Sequence, residues 1–481
     1  FNCLSLTREN KKIKKTSSQI AFHMGKLSRF CILYCVALFI SPTSILSQQV
    51  TDGYRGIWFT LGQYSKYGDK YSGGLGTYTA NHVPTAVYNK KVRKTFFVYG
   101  GASRTEKNCL QIMVSYFDHT TGKVPRPVIV MEKKGVNDPH DNPSISVDEL
   151  GYIWVFISGR NTSRPGFIYK SSTPNSINGF VQILEGEFTY PQPWFITGKG
   201  FVHLFTRYTN GRELYWSDSP DGIAWTHAKK IVGFGGHYQL SITHQEKVYT
   251  VFNYHPDGNV DNRTNIYLMK TEDFGKSWQN IENQPLKIPL GNSNNPSLVY
   301  DYQKDGKLVY LHDLNIDENG NPLILALISK DYKPGPDGGP RDWVIWKIKN
   351  GKWQEIKVTA SSHNYDMGSV YTSKKNWKII GPTEPGPQYW GTGGEMAVWE
   401  SFNEGETWEK KKILTSNSEF NHSYARRPVH AHKDFYAFWA DGHADTISQS
   451  RLYFTNKKGD VMELPYEMSQ EKIKPRKVKG K

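Results

Sequence analysis

The sequence predicts an all-β protein, a seven-bladed β-propeller, and three observations carry that prediction. A two-strand pattern recurs seven times. A tight-turn signature ending in tryptophan recurs between copies of it. The composition suits many short strands and turns: of 481 residues, 14% are aromatic and only 37% hydrophobic, with 43 Gly and 25 Pro. No long stretch carries a helical period.

The first strand of the repeat reads HVPTAVY from His82, HDNPSISV from His140, YPQPWFI from Tyr190, HYQLSIT from His237, NNPSLVY from Asn294, HNYDMGSVY from His363 and YARRPVH from Tyr424. A second apolar strand follows each: KTFFVYGG, YIWVFISGR, FVHLFTRY, KVYTVFNYH, KLVYLHDL, NWKIIGPT and FYAFWADG. The starts lie 47 to 69 residues apart. A period near fifty with several strands per unit marks a propeller, and seven units predict seven blades.

The second observation is TEDFGKSW at Thr271–Trp278 and SFNEGETW at Ser401–Trp408, with SDSPDGIAW near Ser217 as a degenerate copy. Each fits the Asp-box hairpin of sialidase-like propellers. Asp or Asn and Gly close the turn, and Trp packs between blade strands.

Ahead of the repeats, Met24 begins a secretory pattern: Lys26 and Arg29, the apolar run Phe30–Ile40, then small residues at Ser44–Ser47. The run is short for a membrane span. Residues 1–23 read as a mis-called translation start. The expected organisation is therefore 1–47 removed, 48–466 as the propeller, and 467–481 as a basic, disordered tail. Only Cys109 of four cysteines falls in the mature chain, so no intramolecular disulfide is expected there. The formal net charge of +15 is concentrated at the ends: residues 1–23, 24–47 and 472–481 carry +4, +2 and +6, leaving +3 for 48–471. A nearly neutral body argues against nucleic-acid binding. The expectation is a secreted or periplasmic monomer with no membrane attachment in its mature form.

In a propeller the innermost strands line a central channel, and their starts converge on one face. His, Tyr and Asn are enriched at these starts. Turn shaping explains Pro84, Pro143 and Pro296 but explains His140, Tyr190 and His237 less well. His140, in DPHDNP, is either a turn histidine bonded to backbone or a base facing the funnel. His119, in YFDHTTG, becomes its candidate partner if adjacent blades bring the two together. Tyr190 opens YPQPW and is a candidate proton shuttle. Arg207 and Arg160 end apolar strands, where a guanidinium fork can grip a carboxylate. His237, Tyr238, Tyr254 and Arg160 are candidate substrate contacts for sulfate or sugar rings.

Metal signals are weak. His422, His430, His432 and His443 cluster with Asp441 in the last unit, without a partner Cys or an H-E-x-x-H helix. Asp257, Asn259 and Asp261 resemble a calcium-loop fragment lacking the bidentate Glu.

With GYRGIWF, YSGGLGTY, SYFDHTTG, DPHDNPSISVDELGYIWVFISGR, TYPQPW, LFTRY and FYAFWADG, the chain resembles the BNR-4 repeat family, which includes ulvan lyases of polysaccharide lyase families 24 and 25. The resemblance runs from about residue 51 to 455. It implies a substrate canyon across one face and cleavage of an anionic polysaccharide at a uronic acid by β-elimination. By resemblance, His140, His119 and Tyr190 handle protons and Arg207 neutralises the carboxylate. It also implies a structural metal ion, calcium or zinc, whose ligands the sequence does not place. No cofactor is required for the elimination scheme itself. Two rivals remain open: a sialidase-like glycoside hydrolase, and a non-catalytic glycan-binding propeller.

Overall fold

Seven antiparallel sheets follow one another along the chain, six of four strands and the last of five. The computed structural model describes residues 49–75 and 81–478; the expected leader and start at 1–47 lie outside them. Blade 1 comprises Ala86–Asn89, Lys94–Ala102, Cys109–Asp118 and Val128–Lys134. Blade 2 comprises Pro143–Val147, Ile153–Ile157, Gly166–Ser171 and Phe180–Gly186, and blade 3 Thr189–Ile196, Gly200–Tyr208, Arg212–Ser219 and Lys229–Val232. Blade 4 is Gln239–His244, Lys247–Tyr254, Thr264–Thr271 and Leu298–Tyr300; blade 5 is Leu308–Ile316, Pro322–Ser329, Arg341–Lys349 and Lys352–Ser361. Blade 6 is Ser369–Tyr371, Trp377–Glu384, Glu395–Ser401 and Glu409–Ile413. Blade 7 is Asn421–Arg426, Ala437–Gly442, Leu452–Thr455, Val461–Glu463 and Arg476–Lys477. Among the described residues the helical elements are three single turns, and no helix is long and apolar enough to cross a membrane.

Second strands read as unbroken apolar runs because each is covered on both faces by neighbouring blades. Ile153–Ile157, IWVFI, is buried throughout. The three turn signatures form as predicted. In the hairpin after blade 4's third strand, Asp273 Oδ1 accepts from Ser277 N at 2.8 Å, and Gly275 N donates to Thr271 Oγ1 at 2.8 Å. Gly222, Gly275 and Gly405 all hold positive φ; a Cβ on the first two would strike Trp154 and Trp216 of the preceding blade, and one on Gly405 would strike Trp377 of its own blade. The turn therefore needs glycine twice, for its backbone and for the indole it receives.

The ring closes through the N-terminal segment. Val87 and Val429 form a parallel bridge between blades 1 and 7, and Gly56 bridges both Gly101 and Ser450. Tyr54 is fully buried there, its hydroxyl 2.6 Å from Ser115 Oγ.

Two expectations are corrected. NNPSLVY is not an inner strand: Leu298–Tyr300 is the half-buried outer strand of blade 4, and the following apolar run, Leu308–Ile316, is the inner strand of blade 5. The blade count is unaffected. The basic tail is ordered as far as 478: Lys472–Ile473 pairs with Val124–Pro125, and Arg476–Lys477 adds the outermost strand of blade 7. Its charges find partners that composition alone does not reveal, Glu463 for Arg476 and Asp460 for Lys477.

Candidate active site

All inner strands begin on one face of the propeller. Second strands end on that face and third strands begin there, as the antiparallel registers of each blade require. Side chains from these three kinds of position converge beside blades 2 to 4.

His140 lies in the 3-10 turn Pro139–Asp141 just ahead of blade 2's inner strand and is 1% exposed. Asp138 fixes it: its Oδ1 accepts from His140 N at 3.0 Å and is hydrogen-bonded to Nδ1. The turn is pinned by Arg164, which reaches both Asp138 and Asp141, and by Lys133, whose Nζ sits 2.7 Å from Asp141 Oδ2. Burial lowers the His140 pKa, with Asp138 opposing that shift. Burial alone would raise the Asp138 carboxyl; the His140 hydrogen bonds hold it below the usual carboxylate range.

Tyr190 stands at a bulge in blade 3's inner strand with φ of 55°. A tyrosine at positive φ costs on the order of 1–3 kcal/mol, the kind of strain that collects at functional positions. Its ring centroid is 6.1 Å from His140, 5.5 Å from His82 and 5.9 Å from Tyr238. Arg160, at the end of blade 2's second strand, donates from Nη1 to Tyr190 OH at 3.2 Å and to Tyr208 OH at 3.1 Å. Burial raises the Tyr190 pKa well above its ordinary value despite Arg160 and Arg212, so this phenol keeps its proton.

The cluster continues into blade 4. Arg212 stacks over Tyr208 and Tyr238 at 5.6 and 5.8 Å, and Arg263 over Tyr238 and Tyr310 at 5.1 and 4.4 Å. His255 packs edge-on to Tyr238, and neither of its buried ring nitrogens has a hydrogen-bond partner among the described residues. Burial, and then Arg263 and Arg212, push its pKa well below the ordinary histidine value. Such an arrangement gathers guanidinium groups, a protonated phenol and neutral imidazoles into one buried cluster. It can bind an anion, accept a proton and donate one.

The structure thus brings His140, Tyr190, Arg160 and Tyr238 together. Four nominated residues lie elsewhere. Arg207 neighbours Tyr208 in the strand and faces the other side of the blade. Its Nε donates to Glu187 O at 2.9 Å and its guanidinium stacks on Phe205 and Tyr215. His119 follows the end of a third strand, on the opposite face of the propeller from His140, so the expected pairing of the two does not form. His237 is committed to backbone: Nδ1 donates to Asn253 O at 2.9 Å and Nε2 accepts from Phe234 N at 3.3 Å. Tyr254 packs beside it against Phe234. Residues the sequence reading missed are His82, Tyr208, Arg212, His255 and Arg263.

His119 instead meets His432 and Asp434, with one ligand atom from each within 4.8 Å of the others. Thr95 Oγ1 lies 2.8 Å from His119 Nε2, and Nδ1 faces Asp434 Oδ2 at 3.8 Å. Burial, and then His432, lower the His119 pKa to about 4, which keeps the imidazole neutral. Two neutral imidazoles and a carboxylate suit zinc rather than calcium. The other sequence candidates do not assemble with it: His422 is bonded to Ser418 and Trp439, and Asp441 to Tyr453. Asp261 pairs with Lys70.

Fold and site define a β-propeller with a buried histidine–tyrosine–arginine cluster at one face. The sequence matches the BNR repeat-containing family over residues 110–361, more than half of the chain, and the protein belongs to that family. Among characterised proteins it is similar to the ulvan lyase of Nonlabens ulvanivorans, 22% identical over 326 residues; the match covers 58% of this chain and 65% of that relative's length. The fold is similar to that of a polysaccharide lyase of family PL25, an ulvan lyase, at a TM-score of 0.66 and 15% identity over 85% of this chain and 96% of that one. The same enzyme has been solved bound to -[GlcA(1-4)Rha3S]-. The polysaccharide lyase Uly1 superposes at 0.59, with 13% identity over 85% of this chain and all of that one.

Proposed function

We propose that the protein is an exported polysaccharide lyase that cleaves a sulfated, uronic-acid-containing polysaccharide of the ulvan type by β-elimination. One observation carries the reading: Arg160 Nη1 lies 3.2 Å from Tyr190 OH with His140 beside them, so a carboxylate clamp, an acid and a base share one space. In this scheme Arg160 pairs with the uronate carboxylate and stabilises the enolate-like anion that forms as C5 loses its proton. His140, neutral and oriented through Nδ1 by Asp138, takes that proton at Nε2. The C4–O4 bond breaks, C4 and C5 become doubly bonded, and Tyr190 protonates the departing O4. Each proton transfer is worth roughly 10²–10⁴-fold. Arg160 takes the role that the resemblance implied for Arg207. A zinc ion at His119, His432 and Asp434 would be structural, on the far face.

The hydrolase rival gains one observation, since Arg212 and Arg263 both stack on Tyr238 and Arg160 shares Tyr208 with Arg212, which gathers three arginines as a three-arginine clamp would. Among the described residues no carboxylate pairs with Tyr190 to activate it; the contacts of Tyr190 include His82, His140, Tyr238 and Arg160. The test is incubation with ulvan while following absorbance near about 235 nm, where the unsaturated product of the elimination absorbs. A rise supports the lyase. Reducing ends released from a sialoside without such a rise would replace it by the hydrolase, and retention of polymer without any product would replace it by a binding propeller.

A further inference from the structure

The segment Phe59–Leu75 crosses the funnel face and divides it. Phe59 packs edge-on to His140 at 6.0 Å, and Tyr71 meets Tyr365 at 4.8 Å and Tyr424 at 6.4 Å. Lys70 pairs with Asp261 of blade 4 and stacks over Tyr332 of blade 5 at 5.1 Å. The blade 2 to 4 half keeps the polar cluster described above. On the other half, the segment's hairpin Tyr64–Asp69 continues outward over the rims of blades 5 and 6.

There an aromatic surface is assembled from three loops. Tyr67 meets Trp390 at 5.9 Å, and Trp390 meets Tyr389 at 4.5 Å. Tyr389 is 49% exposed and Tyr64, on the same hairpin, 61%. The surface is built rather than incidental. Gly335, at φ of 110°, lets the Tyr67 ring lie on its backbone; a Cβ there would come within 2.2 Å of Cδ2. Tyr64 is tied down through its hydroxyl to Asp445 O at 2.7 Å. Two exposed lysines flank it, Lys66 over Tyr67 at 5.1 Å and Lys333 over Tyr332 at 5.7 Å. The nearby Asp445 carboxylate is occupied by Asp69 N at 2.8 Å. Tyr67, Tyr389 and Trp390 all lie outside residues 110–361, so the part of the chain that matches the family supplies only the Gly335 cradle, Tyr332 and Lys333 of this surface.

We propose that this surface is a distal subsite for an anionic polysaccharide, holding the polymer several sugar units from the bond that breaks. Sugar rings lay their apolar faces on Tyr67, Trp390 and Tyr389, and acidic substituents pair with Lys66 and Lys333. Exposed aromatic patches of this kind mark interaction surfaces. Their occupant follows from the flanking cations and from continuity with the funnel: Tyr332 joins the patch to Lys70, and Tyr71 joins the same segment to the buried cluster. The proposal deepens the lyase reading and rests on it for the identity of the polymer.

The test uses the full-length protein and a double variant, Tyr389→Ala with Trp390→Ala, alongside a charge variant, Lys66→Ser with Lys333→Ser. Mobility is measured in native gels cast with ulvan, and kinetics on ulvan and on the shortest oligosaccharide cleaved. The aromatic variant is expected to lose most of its retardation and to show KM for the polymer raised by about three- to tenfold, with kcat held. The shift vanishes on the short substrate. The charge variant loses retardation at low salt, and what remains depends less on added salt than in the wild type. Unchanged retardation and polymer KM overturn the subsite, as does an equal effect on long and short substrates. A wild type that ulvan does not retard overturns it too, and leaves the patch to a protein partner. Retardation that the variants abolish, in a wild type that eliminates nothing, retains the subsite and discards the lyase.

Discussion

Arg160 and Tyr190 come from adjacent blades and meet through a single hydrogen bond of 3.2 Å. Arg160 closes a second strand and Tyr190 opens the next inner strand, so blade-to-blade stacking sets their distance. The same Nη1 also holds Tyr208, which fixes the guanidinium plane across the mouth of the site. Arg160→Ala is therefore expected to lower kcat for elimination by roughly 10²–10³-fold, the scale of one removed anion-stabilising group. Arg160→Lys restores little, because an ammonium cannot hold two phenols and a carboxylate in one plane. Arg207→Ala, whose side chain serves Glu187 O and two aromatic faces, stays within a few-fold of wild type. Steady-state rates on ulvan decide the matter: an Arg207→Ala loss matching that of Arg160→Ala would sink the assignment.

How far the sequence reaches is clear from these same residues. The seven-fold pattern exposes the fold because strand pairs buried between blades must be apolar on both faces. His140, Tyr190, Tyr238 and Arg160 are visible because they sit at inner-strand starts or second-strand ends. Arg207 misleads by one residue, since neighbours in a strand point to opposite faces. His119 misleads by chain direction: it follows a third strand, which descends to the far face. Arg212 and Arg263 open third strands, in RELYWS and RTNIYL, a position class that inner-strand and second-strand patterns leave out. His82 opens the first repeat and His255 ends the fourth second strand, so both follow the same logic as His140.

The pH profile of elimination follows from His140. The base must be neutral, and burial has lowered its pKa below the ordinary 6.5. The acid limb of kcat/KM is expected to lie below that value. Asp138 raises the His140 pKa, so Asp138→Asn should move the limb to still lower pH. It should also reduce kcat, because the ring loses the carboxylate that sets its tautomer and orientation. An acid limb that moves upward in Asp138→Asn would contradict the geometry.

His203 predicts acid lability of the fold. It is buried among Phe156, Phe188, Phe205 and Trp225, with ring centroids 4.7 to 5.9 Å away, and burial pushes its pKa down to about 3. Its folded-state pKa is depressed, so the unfolded chain binds the extra proton first. Its contribution to stability is complete above the unfolded value of 6.5 and is lost as pH falls toward about 3. His82, His237 and His422, each lowered to about 4 by burial, add in the same direction. His203→Phe removes one such group while filling the same aromatic cage. Urea denaturation of this variant should show an advantage over wild type that grows between about pH 7 and about pH 4.5. Parallel stability curves across that range would show that His203 plays no part.

The His119, His432 and Asp434 cluster joins blade 1 to blade 7 at the ring closure. Zinc bound there would tie the first blade to the last, and binding to the folded state alone stabilises it by mass action. At zinc one hundred times above its Kd the gain is about 2.7 kcal/mol. Zinc should therefore raise Tm and a chelator should lower it, while calcium, which prefers oxygen ligands, does neither. Because the His119 imidazole stays neutral down to about 4, the zinc effect should persist at mildly acidic pH. His432→Ala removes a ligand without touching the funnel, so it should abolish the zinc-dependent shift while leaving elimination by the metal-free protein unchanged. A zinc shift that survives His432→Ala would place the metal elsewhere.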